Sequence, residues 1–110
     1  MVSWAGKRVL LELMSDYKGY WTRYGQMDLR DDKYKKLEKS SSLFLGVSTK
    51  DHKFIFLDFN TSINATYIAS NFHYEGNPAY QIKFNRESLL PFNIERLVGI
   101  IKKAIESRTV

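Results

Sequence analysis

The chain has no cysteine, only two histidines and two prolines, and no apolar run near the length of a membrane-spanning helix. Without thiols, disulfides and thiolate metal sites are excluded, and cysteine nucleophiles with them. That absence fits a reducing compartment, so the expected location is intracellular, cytoplasmic or nuclear. Lys7 and Arg8 are followed only by Val9-Leu10-Leu11 before Glu12, which does not read as a signal peptide. The sequons Asn60-Thr61-Ser62 and Asn64-Ala65-Thr66 are then read as coincidence. A spanning helix would need about 20 consecutive apolar residues, and no membrane span is expected. Glycine-rich phosphate loops are missing too: Gly46 and Gly76 stand alone.

What the chain does have is rings and positive charge. Hydrophobic residues are 44% and charged residues 26% of the 110, ordinary for one folded domain spanning residues 1–110. Aromatic residues make up 15%, enough for a core with some left for a surface. The net charge of +5 and a pI near 9.5 favour polyanions or acidic partners.

The strongest structural signal is Leu43 to Ser48, the polar break Thr49-Lys50-Asp51-His52, and Lys53 to Phe59. Two runs rich in aromatic and branched residues around a four-residue break predict an antiparallel hairpin. In the second run Phe54 and Phe56 point one way and Ile55, Leu57 and Phe59 the other, because side chains alternate along a strand. Apolar on both faces, it is expected to be a central strand.

Before it, Leu10, Leu13, Met14, Tyr17, Trp21 and Tyr24 follow a 3.6-residue period that Ser3 could cap, which favours a helix through about Tyr17. Gly19 and Gly25 interrupt that pattern, Tyr20 to Tyr24 has strand propensity, and Asp16 to Gly19 would suit a hairpin turn. The N-terminal segment is therefore helix or hairpin, with strand or loop expected after Gly19. Asp28 to Lys39 is either a short helix with Asp31 at its N-cap or a solvated connection, and Ser40-Ser41-Ser42 reads as a break.

Downstream, Thr66 to Tyr74 is read as a third strand with Ile68, Phe72 and Tyr74 on one face, and Glu75-Gly76-Asn77-Pro78 as a turn. Ala79 to Phe84 follows as a strand with Tyr80, Ile82 and Phe84 inward. Ile94, Leu97, Val98, Ile101, Ala104 and Ile105 form the apolar stripe of a C-terminal helix, with Asn93 as N-cap and Glu95 in the first turn. The expected class is α+β: an antiparallel sheet of four to six strands packed by a C-terminal amphipathic helix.

Chemistry is thinly represented. His52 beside Asp51 and His73 on the third strand match no ligand spacing, so a loop histidine and a strand-face histidine are the plainer assignments. Asp58 interrupts an apolar strand, yet no Glu-x-Lys follows to make a nuclease metal site, and a carboxylate reaching solvent or bonding the following link is favoured. Neither catalysis nor a cofactor or metal is expected.

The functional signal is Tyr17-Lys18-Gly19-Tyr20-Trp21-Thr22-Arg23-Tyr24, where rings for base stacking interleave with cations for phosphate. Lys18, Tyr20, Trp21, Arg23 and Tyr24 are the candidate contacts, extended by Lys33, Lys35 and Lys36 and by Lys50 and Lys53 of the hairpin. Tyr17 and Trp21 at helical spacing also suit packing against a sheet, so Tyr20 and Tyr24 are the better candidates for exposure. The expected function is a non-enzymatic binding module for nucleic acid, single strands above all. The rival is a protein-interaction module, a regulator or inhibitor docking on an acidic partner, since Tyr, Trp and Arg dominate such interfaces too. A homodimer through the sheet is also open.

Overall fold

The computed structural model describes residues 1–84 and 88–108; the side chain of His73, expected on a strand face, lies outside the described residues. In chain order the elements are β1 (Val2–Trp4), β2 (Lys7–Val9), β3 (Leu11–Asp16), α1 (Tyr20–Tyr24), β4 (Gln26–Arg30), α2 (Asp31–Ser40), β5 (Leu43–Ser48), β6 (Lys53–Asp58), β7 (Thr66–Ile68), a 3-10 turn at Phe72–Tyr74, β8 (Ala79–Lys83), β9 (Leu90–Pro91) and α3 (Ile94–Glu106).

The β5–β6 hairpin lies at the centre of a four-stranded sheet ordered β3-β5-β6-β9. Leu43 pairs with Asp58 and Ser48 with Lys53, which leaves the expected four-residue loop between them. Strand alternation divides the packing. Leu43, Leu45, Phe54 and Phe56 join Leu97, Ile101 and Ile105 of α3, whereas Phe44, Ile55 and Leu57 face a second layer with Trp21, Met27, Leu29, Tyr34, Leu37 and Ile82. That second layer is a three-stranded antiparallel sheet, β4-β8-β7, with α1 and α2 beside it. A two-stranded hairpin, β1–β2, folds against the end of α3, where the Trp4 indole donates to Glu106 Oε1 at 2.7 Å and Lys102 Nζ lies 4.1 Å from the Trp4 ring.

The α+β class and the sheet covered by a C-terminal helix are as expected, and Asn93 does cap α3, accepting from the Arg96 N–H at 3.0 Å. Four local features differ. The N-terminal segment is strand where a helix was favoured: β1, β2 and β3 occupy the first 16 residues, and the helix comes after Gly19, where strand or loop was expected. Second, β3 runs parallel to β5, Leu11 opposite Leu43 through Asp16 opposite Ser48, so the sheet is mixed. Third, Gln26–Arg30 is a strand that the charged composition concealed, and α2 starts at Asp31 with Arg30 at its cap. Fourth, the third strand stops at Ile68, because Asn71 closes a compact loop: Tyr74 N–H and Gly76 N–H donate to its carbonyl at 3.1 and 2.9 Å, and its own N–H donates to Asn77 O at 3.0 Å.

Arg108, just beyond α3, is tied to the end of β6. Its Nη2 meets Asp58 Oδ1 at 2.6 Å, both side chains nearly buried at 13% and 14% exposure. Asp58 also accepts from the Asn60 N–H at 2.9 Å, which is the expected bond to the following link.

Candidate functional site

The side of β3 that faces the second layer carries Glu12, Met14 and Asp16. Glu12 holds α2 through Lys33, 2.9 Å away, Met14 packs into the core, and Asp16 organises α1. One Asp16 oxygen accepts the Trp21 N–H at 2.9 Å and the other the Lys18 N–H at 3.3 Å. A helix N-terminus leaves several N–H groups unpaired, and here an upstream aspartate takes up one of them. Gly19 and Gly25, which break the sequence pattern, bracket the helix in left-handed conformation, with Gly25 N–H returning to Trp21 O at 2.9 Å.

This five-residue helix turns Trp21 inward and its other rings outward. Trp21 is 7% exposed, while Tyr17, Tyr20 and Tyr24 are 71%, 38% and 57% exposed. Trp21 is therefore withdrawn from the set of solvent-facing rings; it anchors the helix. Tyr17, expected to pack against a sheet, is instead the most open of the three tyrosines. Lys18 Nζ lies 5.8 Å from both the Tyr17 and Tyr20 ring centres, and the Arg23 guanidinium 6.0 Å from that of Tyr24. The Tyr20 and Tyr24 rings are 6.1 Å apart and tilted by 36°. Lys50 of the β5–β6 loop joins them, since its side chain lies against Gly19, within 3.2 Å of where a Cβ would stand.

Tyr17, Lys18, Tyr20 and Tyr24 line an open cleft of about 440 Å³ between the end of β3 and the start of β4, together with Gln26 and Asp28 among others, and Arg23 and Lys50 stand outside its lining, beside Tyr24 and Gly19. Its floor is built by β4 and the loop after β7. Asp28 Oδ2 accepts from Asn71 Nδ2 at 3.2 Å, and Oδ1 takes a long 3.4 Å contact from Gln26 Nε2. The Tyr74 hydroxyl donates to Asp28 O at 2.7 Å, and burial, followed by the Asp28 charge, raises its pKa above the usual tyrosine value.

The remaining candidates lie elsewhere. Lys33 and Lys36 border a second cleft of about 510 Å³ with Leu10, Leu11, Glu12 and Ser40. The two clefts take opposite ends of β3, one lined from Leu11 and Glu12 and the other from Met14, Ser15 and Asp16. Lys35 is paired with Asp31 at 3.2 Å, and that hydrogen bond and charge raise its pKa. Lys53 opens β6 between Ser48 and Pro91 and is half-buried. The structure thus gathers Lys18, Tyr20, Arg23, Tyr24 and Lys50 and leaves Lys33, Lys35, Lys36 and Lys53 outside that cluster. Sequence reasoning missed Gln26, Asp28 and Tyr74; the alternation of Gln26, Asp28 and Arg30 with buried Met27 and Leu29 was the available signal.

Among the described residues, no helix is long and apolar enough to cross a membrane. No protein-family model, no curated protein and no solved structure matches this chain.

Proposed function

We propose that the chain is a binding module for single-stranded nucleic acid, acting through the rim of the cleft between β3 and β4. The observation that carries this reading is the exposure, on one short helix and its lead-in, of Tyr17, Tyr20 and Tyr24 with Lys18 and Arg23 at their rings and Lys50 alongside. Stacking needs open ring faces, and backbone contact needs cations beside them; base–aromatic stacking contributes about 1–3 kcal/mol per base. The net charge of +5 favours encounter with a polyanion.

The test is a titration of labelled oligo-dT against the protein over a range of salt. Binding by this rim gives log affinity falling linearly with log salt, with a slope near −0.7 for each phosphate engaged. The same rim would suit an acidic protein surface. A strand that fails to bind even at low ionic strength withdraws the nucleic-acid reading and transfers the site to that class of partner.

A further inference from the structure

Of the two carboxylates lining the cleft, Asp28 is the more open to a ligand. Asp16 is 7% exposed and turned to the backbone, one oxygen taking the Trp21 N–H of α1 and the other the Lys18 N–H of its lead-in, whereas Asp28 is half-buried. Asp28 receives one hydrogen bond on Oδ2 from Asn71 and one long contact on Oδ1 from Gln26. An ionised carboxylate offers about four acceptor sites over its two oxygens, so each oxygen retains one. An anion on the floor repels phosphate, which leaves the backbone of a strand to Lys18, Arg23 and Lys50 at the rim.

A base stacked on the tyrosines would present its edge to this floor. Two adjacent acceptors are met by two adjacent donors, and among the common bases only guanine carries them, N1–H beside the N2 amine. Adenine and cytosine each place a ring acceptor next to their amine, and thymine and uracil flank a single N–H with two carbonyls. Paired hydrogen bonds to a charged group are also the strong ones. Resting on the nucleic-acid reading above, we infer that the cleft holds one unpaired guanine, its N1–H and N2–H donated to the Asp28 carboxylate and its ring against the exposed tyrosines.

The experiment compares a dT oligomer bearing one central guanine with the same oligomer bearing adenine or hypoxanthine, the last differing from guanine only in lacking the N2 amine. The expected result is roughly tenfold tighter binding of the guanine strand, the scale on which a paired base contact discriminates. Asp28→Asn, which replaces one acceptor by a donor, is expected to abolish the preference while leaving the salt slope unchanged. The hypoxanthine arm alters only the ligand, so the inference stays testable if that variant folds poorly. Equal affinity for all three strands, with a linear salt slope, overturns the guanine reading and leaves the rim as a nucleic-acid surface. Absence of binding to every strand overturns both. An arginine- or lysine-rich peptide that binds and is lost with Asp28→Asn, while strands are ignored, overturns both in favour of an aromatic cation pocket.

Discussion

Trp21 sits on Gly46: a Cβ added there would stand 2.8 Å from two carbons of the indole and 3.0 Å from Ile55 Cγ2. The glycine on β5 is thus the seat that lets α1 lie close to the sheet. Gly46→Ala is expected to push the ring out and lower stability by about 1–3 kcal/mol, the usual range for overpacking. Urea unfolding read by tryptophan fluorescence measures the loss. An unchanged midpoint would mean that the ring is not held where it is described.

Arg108 and Asp58 form the least exposed ion pair among the described residues. Removing one partner leaves the other charge nearly buried, so Arg108→Met is expected to cost about 3 kcal/mol, the low end for breaking a buried pair. The double variant with Asp58→Asn should cost clearly less than the sum of the singles, because the two interact directly. Additive losses in a chemical-denaturation cycle would show that the pair is not coupled.

The lysines separate into those at the rim and those away from it. Lys18→Ala and Lys50→Ala are each expected to flatten the salt dependence of strand binding by about 0.7, the increment for one phosphate on a single strand. Lys35→Ala, removing a side chain paired with Asp31, should leave the slope where it was. Tyr24→Ala is expected to lower affinity by about 1–3 kcal/mol through lost stacking, with little effect on the slope. A Lys35 effect equal to that of Lys50 would dissolve the distinction between the two regions.

Two tyrosines give stability a dependence on alkaline pH. Burial, before the nearby Glu38 and Tyr80, raises the pKa of Tyr34, and burial, before Asp28, raises that of Tyr74, both above the ordinary value of 10.0. Between the ordinary and the raised pKa the unfolded chain has lost protons that the folded chain keeps, so stability falls as pH climbs. It is fully present below about pH 10 and declines above it. Tyr34→Phe and Tyr74→Phe should each make the urea midpoint less steep between pH 9 and 11, and identical profiles in both variants and the parent chain would contradict this.

What could be read from the residues was whatever repeats along an element. The β5–β6 hairpin and α3 carry their periodicity over many positions, and both appear where expected. The segment before them carries two periods at once. Leu10, Leu13, Met14, Tyr17, Trp21 and Tyr24 fit a helical stripe, yet Leu11 to Asp16 is held as an edge strand by backbone pairing with β5, a partner 32 residues away. Long-range pairing of that kind leaves little trace in local pattern, which is also why the parallel direction of β3 was not foreseen.

The rim shows the same division. Tyr20, Tyr24 and their cations were visible as an aromatic and basic stretch, and Lys50 comes to them only because the hairpin loop folds over Gly19. Asp28 and Tyr74 reach the cleft from segments 46 residues apart, joined by the bond from the Tyr74 hydroxyl to the Asp28 carbonyl, and no spacing rule connects them. Trp21 went inward because Asp16 accepts its N–H and Gly46 leaves room for the indole, two facts that belong to the tertiary arrangement.

The clasp between the β1–β2 hairpin and the last turn of α3 bears on how the chain is made. Lys7 Nζ donates to the Glu106 and Arg108 carbonyls, so residues about a hundred positions apart meet. During synthesis the apolar face formed by Leu43, Leu45 and Phe54 stays open until α3 has emerged to cover it. A nascent chain stalled before residue 94 would therefore expose greasy sheet surface and recruit chaperones, and the emergence of α3 is the event that covers it.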